Sequence, residues 1–264
     1  MLSDAQLLDL SDKNLAEAQR EHARFLSPHS IEERDGLLLS AAGVTFPAAP
    51  FNAVSTTGDQ TPPPERVLEQ ARAFFRAHDR GFGVMVAEHR DQELKAYCDE
   101  QDLPHFGNSP GMVLAAPVDA PTLPAGATMK TVASIDDAKQ FVHVAAHAFE
   151  AIGLPVAVAK ELLSQPAAWL EPHWHVRLIV ENENPVAGAM VLMSHGIAGI
   201  YWVATLAESR GRGYGEAVTR AISNDAFERG AVAVVLQASN FGEPVYLRIG
   251  FKEITRYHWY LVAE

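Results

Sequence analysis

The chain has 264 residues, with Asp+Glu 33 against Lys+Arg 21 and a formal net charge of −12. Hydrophobic residues at 48% and charged residues at 20% describe a globular chain with material for a full core, not a disordered one. The acidic balance argues against a nucleic-acid binder, which needs a basic face, and a single cysteine, Cys98, allows no internal disulfide.

Met1-Leu2-Ser3-Asp4 is followed by no basic residue before Lys13 and by no apolar run, so no signal peptide is expected. The longest uninterrupted apolar run, Ala231 to Leu236, falls well short of the roughly 20 residues of a membrane span. A soluble cytoplasmic protein is expected, with neither membrane nor nucleic acid as partner.

In the first half, strand residues Val54 to Thr56 precede a helix from Glu65 to His78, a strand from Phe82 to Ala87, a helix from Gln92 to Cys98 and a strand from Gly111 to Ala115. Ala116 to Ala127 holds Pro117, Pro121, Pro124 and Gly126, which disfavour helix and sheet alike. Residues 117–127 are therefore expected to link residues 1–116 to residues 128–264.

In the second half, Lys130 to Ala133 reads as a strand and Asp136 to Ala148 as a helix, with Ser134 as N-cap. A helix from Pro155 to Leu163 follows. Strands His175 to Val180 and Val186 to Met193 form a hairpin turning at Glu183-Asn184-Pro185. Ile197 to Thr205 is a strand, Glu208 to Gly213 a polar glycine-rich loop, and Tyr214 to Arg229 a helix with Ala217, Val218, Ala221 and Ile222 on its apolar period. Ala231 to Leu236 has the composition of a strand buried on both faces. A short helix, Glu243 to Ile249, stops at Gly250, and Phe251 to Tyr257 and His258 to Val262 are closing strands. The order implies an α+β (mixed α/β) fold.

Chemistry concentrates between Thr205 and Glu216. Arg210, Gly211, Arg212, Gly213, Tyr214 and Gly215 join a strand to a helix. The first N–H groups of a helix have no partner within it and carry the positive end of its dipole, so such an entry suits a phosphate. It is not a P-loop, because Glu216 follows Gly215, and it lacks the third glycine of the dinucleotide fingerprint. The same six residues would also serve as a plain glycine-rich turn.

The loop does match Arg-x-x-Gly-x-Gly, and with the preceding strand Tyr201 to Thr205 it resembles the GNAT family, the GCN5-related N-acetyltransferases. Downstream, Tyr246 precedes the Gly250-Phe251 pair by four residues, as in the family's second signature, and Ser239 stands near a position where the family often has Asn. The resemblance covers about Ala127 to Glu264. It implies a mixed, mostly antiparallel sheet flanked by helices, an acetyl-CoA cosubstrate and no metal. It places the pantetheine arm on Val203, Ala204 and Thr205, the pyrophosphate on Arg210, Gly211, Arg212, Gly213, Tyr214 and Gly215, and Ser239 among the cofactor-binding residues. It makes Tyr246 the acid that protonates the leaving thiolate. The acceptor is a small-molecule amine or peptide amine, and a homodimer is possible for this family type. A non-catalytic acetyl-CoA-binding regulatory module is the alternative. Glu181, His173, His175, His195 and Glu208 are open candidates for a general base. His143 and His147 lack a third metal ligand, and Cys98 is expected to be inert.

An offset of 149 lays Asp79-Arg80-Gly81 on Glu228-Arg229-Gly230 and Thr56 on Thr205. The first half then resembles a second, shortened GNAT-like domain. Its loop reads Thr61-Pro62-Pro63-Pro64, and proline has no N–H to offer a phosphate. This half is expected not to hold coenzyme A and to shape the acceptor groove. Charge divides unevenly: residues 1–127 carry 19 acids and 10 bases, residues 128–264 carry 14 and 11. The half with the loop is thus the nearly neutral one.

Overall fold

The computed structural model describes residues 2–44, 51–58 and 61–263. The chain runs α1 (Asp4–Arg24), β1 (Ser30–Arg34), β2 (Leu37–Ala41), β3 (Ala53–Thr56), α2 (Pro64–Ala77), β4 (Phe82–Ala87), α3 (Gln92–Glu100) and β5 (His105–Leu114). It continues with β6 (Ala127–Thr131), α4 (Ile135–Phe149), α5 (Val156–Leu162), β7 (Trp174–Glu181), β8 (Asn184–Ser194), β9 (Ile197–Thr205), α6 (Tyr214–Glu228), β10 (Val234–Gln237), α7 (Glu243–Ile249) and β11 (Lys252–Val262). Two compact units result. One is Asp4–Gly111 with Glu253–Glu264; the other is Met112–Lys252 with Met1–Ser3. No helix among the described residues is long and apolar enough to cross a membrane.

In the first unit the strand order begins β1-β2-β3-β4-β11. β3 and β4 are parallel, while β1–β2, β2–β3 and β4–β11 are antiparallel. Leu37 and Leu39 of β2 and Val84 and Val86 of β4 alternate into a core closed by Val67, Ala71 and Phe75 of α2. Pro64 opens α2, as the proline run requires. The β3–β4 ladder runs through Ala53↔Gly83, Val54↔Val84 and Ser55↔Met85. Beyond it, Arg90 Nη2 donates to Thr56 O at 3.0 Å and to Thr56 Oγ1 at 2.6 Å. The buried Asp91 carboxylate accepts from Ala87 N at 3.0 Å and from Thr56 Oγ1. Those bonds tie the ends of the two strands together.

In the second unit β10-β9-β8-β7-β6 lie side by side, with β10–β9 parallel and the other pairs antiparallel. Ala187, Ala189 and Val191 of β8, Ala198 and Ile200 of β9, and Val234 and Leu236 of β10 meet Ala217, Val218 and Ile222 of α6 in one core. Ser134 caps α4, its Oγ accepting from Asp137 N at 3.1 Å, and Ile197–Thr205 and Glu243–Ile249 form as expected.

Three expectations are corrected in detail. The hairpin turn is Asn182-Glu183, both with positive φ (48° and 67°), while Asn184 and Pro185 already belong to β8. Asn tolerates the left-handed conformation a two-residue hairpin needs, and Pro185 sits where the register shifts. The buried strand starts at Val234, because Ala231 N still closes α6 on Ala226 O at 3.0 Å. The two closing strands are one, Lys252–Val262.

Candidate functional site

β8 and β9 pair from Ser194↔Ile197 to Ala187↔Thr205, but the register shifts between Gly188↔Ala204 and Met190↔Tyr201. β9 therefore carries one extra residue, a β-bulge. Trp202 there has φ +52°, a conformation a bulky residue rarely takes. Its ring meets Phe149, the last residue of α4, at 4.7 Å between centroids. On the other side of β9 the β10 ladder covers only Ala198, Gly199 and Ile200 among the described residues. The far end of β9, Val203 to Thr205, lies outside that ladder.

Beyond Thr205 the chain turns through a 3-10 segment, Ala207–Ser209, to the glycine loop. Gly211 and Gly213 have φ +75° and +84°, and a Cβ built at either would find no atom within 4 Å. Gly213 is the N-cap of α6, and no side chain caps the helix there. The loop thus presents an uncovered, backbone-lined helix start, the arrangement that receives phosphate oxygens. Gly215 faces Thr205, whose Oγ1 would stand 3.4 Å from an added Cβ.

The two arginines do different things. Arg210 bonds backbone: its Nη2 donates to Ala148 O at 2.8 Å and its Nε to Thr205 O at 3.3 Å. It fastens the loop to the end of α4. Arg212, exposed like Arg210, pairs with a side chain instead, Glu181, Nη1 donating at 2.7 Å and Nη2 to the second oxygen. The buried Tyr214 donates its hydroxyl to the same Glu181 at 2.7 Å.

Tyr246 lies buried in α7, its ring 5.8 Å from that of Phe251. No described residue hydrogen-bonds its Oη. Burial pushes the phenol well above its usual range, so it keeps its proton at neutral pH. Gly242, one turn earlier, permits this position: a Cβ there would stand 2.7 Å from Tyr246 Cε2. Ser239 starts the same turn, its carbonyl and Oγ both accepting from Gly242 N. The Ser-Asn-Phe-Gly run ahead of Tyr246 was the available signal for Gly242.

None of the five base candidates hydrogen-bonds Tyr246. Glu181 is held below the usual carboxylate range by Arg212 and Tyr214, which makes it a weak base. His175 Nε2 lies 2.9 Å from Asp225 Oδ2, and its Nδ1 accepts from Arg229 at 3.2 Å. Asp225 also accepts from Nε and Nη2 of Arg177, at 2.6 and 2.7 Å. His173 lies 3.8 Å from Glu171, His195 sits at the β8–β9 turn with φ +52°, and Glu208 is exposed. The rings of His143 and His147 meet at a tilt of 43° on α4, 4.2 Å between centroids. Cys98 is buried, and burial pushes its thiol up to about 12.

Residues 179–260 match the family model described as FR47-like protein. A search of curated proteins gave no match. Among solved structures, a GCN5-related N-acetyltransferase from Kribbella flavida aligns at 20% identity and TM-score 0.71, covering 95% of this chain and 96% of that one. One from Sphaerobacter thermophilus aligns at 17% identity and TM-score 0.66, covering 94% and 89%. A tandem GNAT protein from the clavulanic acid biosynthesis pathway, solved without acetyl-CoA, aligns at 14% and TM-score 0.60, covering 98% and 95%. At these identities the likeness is one of fold. The chain therefore has the fold of the GCN5-related N-acetyltransferases, with an FR47-like segment over residues 179–260.

Proposed function

We propose that the chain is an N-acetyltransferase that moves the acetyl group of acetyl-CoA to a small-molecule or peptide amine. The observation that most supports this is the divergence of two ladders on β9. The β8 ladder continues through the Trp202 bulge to Thr205, while the β10 ladder ends at Ile200. The free stretch leads into the uncovered glycine loop of α6. An extended pantetheine arm could lie along Val203, Ala204 and Thr205 as an added strand does.

Bound acetyl-CoA would supply an activated acyl group and a thiolate leaving group. The chain's part is to hold it and to manage the proton. The N–H groups of Gly211 to Gly215 take the pyrophosphate, and Arg212 adds a cation. A backbone N–H at the bulge holds the oxygen that gains charge as the amine adds. Tyr246 Oη donates its proton to sulfur as the C–N bond replaces the C–S bond. The amine's own proton leaves to water, with no side chain assigned as general base. Residues 128–264 carry this chemistry. Residues 1–116 do not hold the cofactor, because Pro62, Pro63 and Pro64 offer no N–H and the β3–β4 ladder is closed.

The test is calorimetric titration with acetyl-CoA, then thiol release across alkylamines, polyamines, amino acids and peptide N-termini. Binding with turnover on at least one amine is expected. Binding without turnover on any amine would instead mark a sensor, and no binding would refute the reading.

A further inference from the structure

Arg212 is one of the two cations of the loop, and the structure gives it an anion of the chain's own. Glu181 ends β7, and its carboxylate collects three donors: both terminal nitrogens of Arg212 and the hydroxyl of Tyr214. All three come from the loop and the first residue of α6. A guanidinium meets a carboxylate and a phosphate through the same two-pronged edge. Arg212 cannot use that edge on both at once.

We propose that Glu181 competes with the phosphates of coenzyme A for Arg212 and so lowers the chain's own affinity for its cofactor. The inference rests on the functional reading above. Three observations carry it. The Arg212 side chain is the exposed member of the pair, at 43% against 14% for Glu181, so the cation is the partner free to move. Gly211 and Gly213 flank it with positive φ and open space around each, so no neighbour crowds the backbone on either side of Arg212. Arg212 lies 5.1 Å over the Tyr214 ring, and Tyr214 is anchored in the core, so the pair stands at the start of α6. The opposite role, in which Glu181 aligns Arg212 for the phosphate, predicts the opposite sign.

Glu181→Gln separates the two, since glutamine keeps an acceptor for Tyr214 and removes the charge that holds Arg212. Full-length wild type, Glu181→Gln, Arg212→Gln and the double variant are titrated with coenzyme A and with dephospho-coenzyme A. Thermal melting confirms that each is folded. Glu181→Gln is expected to bind coenzyme A a few-fold tighter, Arg212→Gln weaker, and the gain should vanish in the double variant. A gain kept with dephospho-coenzyme A assigns the competition to the pyrophosphate; one lost there assigns it to the 3′-phosphate. Equal or weaker binding by Glu181→Gln overturns the proposal. So does a gain that survives undiminished without Arg212. Absence of binding by all four proteins would remove the functional reading itself, a result distinct from both.

Discussion

Tyr246→Phe removes one oxygen and leaves the ring against Gly242 and Phe251. Because no described residue bonds that oxygen, its loss breaks no hydrogen bond within the fold. Stability should therefore stay within about 1 kcal/mol of wild type. The catalytic loss should be far larger, since a positioned acid contributes about 10²–10⁴ in rate, or roughly 3–5 kcal/mol of barrier. The assay is thiol release at saturating acetyl-CoA beside thermal melting and cofactor titration. Turnover should collapse while melting temperature and affinity hold. An unchanged rate would refute the acid role, and a large fall in melting temperature would show the hydroxyl to be structural. Gly242→Ala gives an independent check. Gly242 has ordinary helical angles, φ −82° and ψ −35°, so alanine strains no backbone there. Its Cβ would still press on Tyr246 Cε2 and shift the ring. Turnover should fall without loss of the hydroxyl.

Arg210→Gln should lower stability by about 1–2 kcal/mol through its bonds to Ala148 O and Thr205 O, and should weaken coenzyme A binding indirectly. Lost affinity with full stability, by melting and titration, would mean that Arg210 meets the phosphate itself. Asp225→Asn should cost about 2 kcal/mol at neutral pH by breaking charged hydrogen bonds at the end of α6. Burial opposes ionisation of Asp225, but His175 and Arg177 outweigh it and hold the carboxyl below its usual range. Its contribution is therefore complete above pH about 4 and lost as pH falls further. Denaturant titrations should show the wild-type advantage shrinking below that pH, and a constant advantage would count against the assignment. Burial lowers His22 to about 4, against the smaller pull of its bond to Ala18 O. Between pH 6.5 and 4 the unfolded chain takes up a proton that the folded chain refuses, so stability should fall by about 3 kcal/mol. A wild-type pH slope no steeper than that of His22→Gln over this range would refute it.

Much of the second unit was legible because its elements follow simple periods. Ala217, Val218, Ala221 and Ile222 mark one face of α6, and glycines punctuate its ends. By contrast, α1 and the β1–β2 hairpin escaped notice. The buried face of α1 includes Ser11, Asn14, Gln19 and His22, so its period is not apolar. Gln19 bonds Ser40 and Ala53 O, partners 21 and 34 residues away that no local pattern reveals. At the site, the motif located the loop but not the direction of its side chains. Arg210 and Arg212 look alike in sequence; Ala148 and Glu181, distant in the chain, draw them apart. The positive φ of Trp202 likewise arises from strand register, which is a tertiary property.

The register of two parallel ladders bears on how such a domain could gain or lose its ligand. In the first unit, pairing extends to Ser55↔Met85, and Arg90 and Asp91 lock the strand ends. On the alignment by 149 residues, Ser55 corresponds to Ala204, a position that the β9–β10 ladder leaves out. Grafting Arg-Gly-Arg-Gly in place of Thr61 to Pro64 would restore donors to α2 without reopening the strands. Converting this half into a receiver would require slipping a strand and cutting the Arg90–Thr56 tie. On the proposed reading, what keeps the cofactor from this half is its backbone pairing as well as its prolines, and loop substitutions alone are expected not to create binding.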